Sequence, residues 1–326
     1  MANIKLTTHY PFSETYTYET ILERINLDEE RRHDIATGRG FPITSAKPIK
    51  EDVKDINGIF STRFGKTLND DHPFEDLYRC RCGKLMGKFN EGRTCPVCKT
   101  TVKFVDNDFG YFGWIVLKDP YYIIHPTLYM SLASFIGLEE FDNIIKIQSK
   151  KNEDGIEVEI KRPKKEPFFG IGMMEFHDRF DEIMTYYYNA KCKSPSKLER
   201  YQDLMMDKDK IFTQSIPVFT TLLRPYKIEG GEMHYESTNA TYKILSSIVA
   251  KINSDSLTMN RNKKTKNELL YDCQMKVKEL FDEINKILSG KKGSVRSLAG
   301  GRLVNSPTHL CSLIQLIAGK LKEESK

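Results

Sequence analysis

The chain has 326 residues, of which 39% are hydrophobic and 29% charged, a globular balance that excludes a disordered chain and allows two or three compact units. Its longest apolar stretches fall well short of the ~20 residues a membrane-spanning helix needs, and its first residues carry no apolar signal segment, so a reducing, cytosolic setting is the default expectation. Fifty Lys and Arg against forty-five Asp and Glu leave a net charge of +5, too little to announce a polyanion partner through bulk electrostatics; any such site has to be local.

In chain order, residues 1–77 alternate turn signals with short apolar runs and hold one helical candidate, over 18–34. Residues 78–103, YRCRCGKLMGKFNEGRTCPVCKTTVK, are basic, glycine-punctuated and poor in large aliphatics, so they form a small lobe that needs a staple to fold. In residues 104–220, β-type residues at 114–117 give way after Pro126 to a helix with Leu128, Leu132, Phe135, Ile136 and Leu138 on its buried face. A lysine-rich solvated hairpin or loop follows around GIEVEI, then helices over 173–190 and 195–206. Residues 221–236 turn at Gly230–Gly231. Apolar stripes over 237–253 and 266–288 predict an antiparallel helical hairpin within 237–288, its basic connection protruding into solvent or towards a partner. Residues 289–326 begin as a glycine-rich basic loop and end in an amphipathic helix over 307–321.

The strongest chemical signal is Cys80-x-Cys82, twelve intervening residues, then Cys95-x-x-Cys98. Two close thiolate pairs joined by a turn-forming linker supply the four corners of a tetrahedral zinc site and leave no open position, so the site is structural rather than catalytic. Gly83 and Pro96 suit the tight turns this requires. A second, weaker signal sets Lys291, Lys292, Arg296 and Arg302 among glycines, which combines close backbone approach with phosphate-neutralising cations. No P-loop stands after a strand. Asp106 and Asp108, and the acidic run from Asp70 to Asp76, read as solvated turns. The histidines show no triad spacing, and Tyr186, Tyr187 and Tyr188 read as core and rim of a helix.

The order of these parts resembles the N-terminal portion of the β′ (largest) subunit of multisubunit DNA-dependent RNA polymerases. ITSAKPIKEDVKDINGIFSTRFG (43–65) is similar to that family's opening stretch, and the C-x-C, twelve-residue gap, C-x-x-C lobe has the spacing of its zinc-binding domain. GYFGWIVLKDPYYIIHPTLYMSLASFIGL (110–138) resembles its "GHIeLa.PV" segment, TLLRPYKIEGG (221–231) its lid, the helical pair its clamp coiled coil, and GKKGSVRSLAGGRLVNS (290–306) its switch region. Thr308 stands where the family has an arginine, one residue of the switch loop is missing between Arg296 and Gly300, and no room is left for a rudder loop. No NADFDGD motif, which holds the family's catalytic Mg²⁺, occurs among these residues.

The resemblance implies an α+β, predominantly helical, elongated clamp module: an N-terminal clamp segment (1–77), a four-cysteine zinc-binding lobe (78–103), a helical clamp body (104–220), a lid-like loop (221–236), a protruding antiparallel helical hairpin (237–288), and a switch loop with C-terminal helix (289–326). It implies a bacteriophage-type split polymerase, in which this chain holds template DNA and transcript but is not active alone. Catalytic aspartates and their Mg²⁺ then belong to another polypeptide, and zinc sits on Cys80, Cys82, Cys95 and Cys98. Lys291, Lys292, Arg296, Arg302 and, from the lid, Arg224 are its expected nucleic-acid contacts. The implied partners are a C-terminal β′-like subunit, β-like subunits and a sigma-like factor on the hairpin, with no membrane; the implied location is the cytoplasm of an infected bacterial host or the virion. The competing expectation is a free-standing zinc-containing DNA-binding or adaptor protein.

Overall fold

The computed structural model describes residues 3–9, 15–45, 57–64, 78–80, 84–104, 112–147, 149–151, 157–159, 167–221, 224, 226–229, 232–235, 237–254, 264–288 and 320–323. Among them helix dominates. Two strands, β1 (Asn3–His9) and β2 (Thr15–Glu23), precede α1 (Leu27–Ala36) and β3 (Gly40–Ile43). Two-residue strands β4 (Tyr78–Arg79) and β5 (Lys103–Phe104) bracket the cysteine lobe, and β6 (Phe112–Val116) and β7 (Ile123–Ile124) lead into α2 (Pro126–Ile136) and α3 (Leu138–Ile145). After β8 (Ser149–Lys151) and β9 (Glu157–Glu159) come α4 (Gly172–Asp178), α5 (Phe180–Lys191) and α6 (Pro195–Met206), then β10 (Phe212–Thr213) and β11 (Ser215–Val218). The hairpin β12 (Tyr226–Glu229) and β13 (Glu232–Tyr235) precedes the long helices α7 (Ser237–Asn253) and α8 (Lys266–Leu288), and β14 (Lys320–Glu323) comes last.

The organising strand is β6. Its sequence FGWIV is apolar throughout and buried on both faces, as a central strand requires. β3 pairs with it in parallel and β11 antiparallel. Helix α1 lies against both flanking strands, where Trp114 of β6 donates from Nε1 to the buried Asp34 Oδ2 at 3.1 Å. One apolar core runs from Leu27 to Ile284, so residues expected to form a separate body and hairpin share a single interior.

Several expectations change. The helix over 18–34 starts later: TYTYETILE alternates β-forming residues and pairs with β1 and β14, and Asn26 then caps α1 by accepting from Asp28 and Glu29 N–H. The helix after Pro126 ends at Gly137, whose φ of +116° excludes most other residues, and a new helix begins. Leu128, Leu132, Phe135 and Ile136 are buried as expected, but Leu138, past the break, is 61% exposed. The 173–190 helix is divided at Arg179. The lysine-rich segment does contain a hairpin, β8 against β9. Lys320 and Leu321 lie in β14, which pairs with β2, rather than in a terminal helix; the rest of the 307–321 segment lies outside the described residues.

The helical pair is tied to the body. Helices α7 and α8 pack together and have the expected bounds, and their described residues nearest the connection make hydrogen bonds to the body. Asn253, at the end of α7, donates from Nδ2 to Val116 O at 2.8 Å and accepts from Lys118 N at 2.9 Å. Near the start of α8, buried Gln274 accepts from Ile124 N at 2.6 Å and donates to Ile124 O at 3.2 Å, taking the place of a neighbouring strand beside β7. Asn267 Oδ1 accepts from Met174 N at 3.0 Å and Tyr271 OH reaches Asp142 at 2.6 Å. Lys266 Nζ caps α7 by donating to the carbonyls of Lys251, Ile252 and Ser254. These hydrogen bonds, of which the Gln274–Ile124 pair is buried, hold the pair down along that end; the connecting residues 255–263 lie outside the described residues.

Candidate metal centre

Cys80 follows β4, and Cys95 follows Thr94, which forms an isolated bridge with Thr101. Cys80 N donates to Leu85 O at 2.9 Å, and Leu85 N donates back to Cys80 Sγ at 3.3 Å. In the second turn Cys95 N donates to Thr100 O at 2.9 Å and Lys99 N to Cys95 O at 3.0 Å, with Lys99 in the left-handed region at φ 58°. Thr100 Oγ1 lies 2.9 Å from Cys98 Sγ, placed to donate to a thiolate. Antiparallel bridges between Arg79 and Met86 and between Thr94 and Thr101 close the two turns.

These turns bring Cys80, Cys95 and Cys98 together, with their sulfurs all within 4.8 Å of one another. Cys80 and Cys95 are buried and Cys98 is half-buried. The edge of a zinc–thiolate tetrahedron is about 3.8 Å for bonds of about 2.3 Å, so the three sulfurs need only a small inward shift to bind. Donors from Leu85 N–H and Thr100 Oγ1 favour the thiolate form that a metal takes. The three cysteines therefore fit a metal. Cys82, the fourth expected ligand, lies outside the described residues. Among the described residues the lobe's apolar cluster adds only Val102 to the sulfurs, with Tyr78 and Leu85 packed alongside.

Arg224 is not a surface cation. Only 1% exposed, it donates from Nε to Phe219 O at 2.6 Å, from Nη1 to Asn239 Oδ1 at 2.8 Å and from Nη2 to Ile59 O. Its guanidinium lies over the rings of Phe64 at 4.8 Å and Tyr242 at 5.5 Å. Burial lowers its pKa to about 10, against the opposing pull of Tyr242 and Tyr226. The side chain ties residues 57–64, the end of β11 and α7 together, which removes it from the expected nucleic-acid contacts: a buried cation committed to carbonyls cannot reach a phosphate. Lys291, Lys292, Arg296 and Arg302, together with Asp106, Asp108 and the acidic run 70–76, lie outside the described residues.

Sequence reasoning passed over a second cluster, Glu30, His33 and Asp34, whose donor atoms also lie within 4.8 Å of one another. Burial, reinforced by Glu30, raises the Asp34 pKa from 3.8 to about 6, while the Trp114 hydrogen bond, Arg39 and His33 pull it down. All three side chains sit on one helix, and Asp34 is already satisfied by Trp114, so the cluster joins α1 to β6. The only signal for it is an i, i+3, i+4 pattern that surface helices commonly carry. His125 caps α2, its Nδ1 accepting from Thr127 N at 3.3 Å, and burial lowers its pKa to about 4; it is a packed neutral histidine. Tyr187 is buried with its hydroxyl 2.7 Å from Glu140, while Tyr186 and Tyr188 are exposed, the core-and-rim arrangement expected of the triplet.

No protein-family model matches the chain, and no curated protein sequence matches it. Among the described residues, no helix is long and apolar enough to cross a membrane.

Proposed function

We propose that this chain is an N-terminal β′-like part of a split, bacteriophage-type DNA-dependent RNA polymerase, a non-catalytic piece that holds template DNA and transcript. The observation that carries the reading is the cysteine lobe. A C-x-C, twelve-residue gap, C-x-x-C sequence stands between segments resembling the opening stretch and the "GHIeLa.PV" stretch of the β′ family, and three of its four sulfurs converge. In this reading zinc takes Cys80, Cys82, Cys95 and Cys98 as a closed structural site and only braces the lobe. Chemistry belongs to the assembled enzyme, whose two Mg²⁺ stabilise the attacking and leaving oxygens of nucleotidyl transfer. In this reading its aspartate triad, which does not occur in these 326 residues, is carried by another polypeptide. The switch-like loop with Lys291, Lys292, Arg296 and Arg302 contacts the template; the lid-like hairpin β12–β13 contributes backbone and surface, with Arg224 as its buried anchor. The partners are a C-terminal β′-like chain, β-like chains and a sigma-like factor, in the host cytoplasm or the virion.

The test is affinity purification of the tagged chain from its native source, with metal analysis. The expected result is recovery with other polymerase fragments, one carrying the aspartate triad, in a complex that makes RNA on DNA and contains zinc. A solitary zinc-loaded monomer that binds DNA without those fragments would instead support the free-standing adaptor.

A further inference from the structure

The lobe carries a feature that metal binding does not use. Phe89 is 84% exposed, yet it stands on a turn held by several hydrogen bonds. Gly87 N donates to Tyr78 O at 2.7 Å, Asn90 N to Gly87 O at 3.0 Å and Glu91 N to Lys88 O at 3.0 Å. The Asn90 side chain donates to Met86 O at 2.6 Å and accepts from Arg93 Nη1 at 2.9 Å. The ring lies directly over Gly87: a Cβ added there would sit 2.5 Å from Phe89 Cε1, and the φ of +93° at Gly87 is itself a glycine conformation. The aromatic face is thus held in place against backbone while its other side meets solvent.

Its electrostatic surroundings are equally particular. Residues 78–104 contain seven Lys and Arg and a single acid, Glu91, so this short segment is net +6 in a chain that is net +5, and all the rest together is net −1. A metal held by four thiolates would leave the lobe at +4. Lys84, Lys88, Arg93, Lys99 and Lys103 are all exposed. A fixed, solvent-facing ring among unshielded cations is the combination that binds single-stranded nucleic acid, bases stacking on the aromatic face while lysines and arginines neutralise phosphates. A face built for a protein partner would instead deplete lysine at its centre.

We infer that the lobe is a single-strand nucleic-acid-binding site in which Phe89 stacks a base and the surrounding cations hold the backbone. The inference needs only the metal-braced lobe and stands whether or not the chain belongs to a polymerase.

The test uses the full, metal-loaded chain with about 15-nucleotide oligo(dU) and oligo(U) carrying 5-iodouracil, a duplex of equal length, and inorganic polyphosphate as a base-free polyanion. Near-ultraviolet irradiation is expected to crosslink a single-stranded probe to the peptide containing Phe89. Phe89→Ala should weaken that probe's binding about tenfold, leave polyphosphate binding and zinc content unchanged, and be rescued by Phe89→Trp. Lys88→Ala should reduce the salt dependence by roughly 0.7 in log–log slope. Comparison of the two single-stranded probes assigns the strand as DNA or RNA. Crosslinks confined to other segments, equal affinity of Phe89→Ala and the parent, or duplex binding tighter than single-strand binding would each overturn the assignment. Recovery of polymerase fragments is a separate measurement, so either proposal can fail alone.

Discussion

Among the described residues the cysteine lobe's buried apolar cluster is only Cys80, Cys95 and Val102, whereas the body buries a continuous core from Leu27 to Ile284, with Trp114, Phe41, Phe141 and Tyr242 fully enclosed. The lobe's backbone hydrogen bonds are nearly all local, within two turns of a few residues each. The body's decisive polar contacts join segments more than a hundred residues apart, as between Gln274 and Ile124 or Arg224 and Ile59. One region can therefore be disabled by a single sulfur, the other only by breaking long-range contacts, and the two should fail independently.

The largest effect is expected at the lobe. Structural zinc contributes roughly 10–16 kcal/mol to folding of small metal-dependent units, far more than the lobe's small apolar cluster can supply. Cys95→Ser should abolish metal retention and open residues 78–104 to proteolysis, while the thermal transition of the body stays in place. Metal analysis with limited proteolysis reads both; an unchanged metal content would remove the assignment.

The converse substitution is Arg224→Met. It leaves Phe219 O, Ile59 O and Asn239 Oδ1 without their donor in a buried setting, and breaking such a buried charged network costs about 3–5 kcal/mol. Urea denaturation should show that loss in the body while metal content is unchanged. If Arg224 instead served nucleic acid directly, stability would be nearly intact and only binding would fall.

Gln274→Leu sharpens the comparison at the docked end of the helical pair. It keeps the volume but orphans the N–H and the carbonyl of Ile124, at about 1–3 kcal/mol for each buried group. Hydrogen exchange at Ile124 and along the first turns of α8 should accelerate well before the rest of the core; uniform exchange would mean that the helix is held by its apolar stripe alone.

What the sequence could disclose follows the same division. Helices 195–206, 237–253 and 266–288 were legible to their ends, because Pro195 marks a first turn and the apolar stripes of the other two run unbroken. The cysteine spacing was legible because its ligands approach through local turns. Arg224 was not: in LLRPYK it looks like a ligand-facing arginine, and its burial depends on Ile59, Phe219 and Asn239, which only tertiary structure brings together. The docking of the helical pair through Asn253 and Gln274 was hidden for the same reason, since both read as ordinary polar positions until the strands beside them are known. The strand β2 was missed although its partner β1 lies only five residues upstream; its other partner, β14, comes about three hundred residues later.

The smallest expected effect is a pH dependence of the body alone. Asp34 titrates near 6 in the folded protein because burial disfavours its charged form, against an ordinary value of 3.8. Between these values the native state holds more protons than the unfolded one, so its stability contribution is complete below about pH 4 and declines as pH rises to about 6. The full span corresponds to about 2–3 kcal/mol, and above pH 6 the dependence on this group flattens. Asp34→Asn keeps an oxygen for the Trp114 N–H but removes the titration, so chemical denaturation from pH 4 to 7 should show a shallower decline for the variant than for the parent. Identical slopes would place the proton elsewhere and leave the Asp34–Trp114 contact as a plain hydrogen bond between α1 and β6.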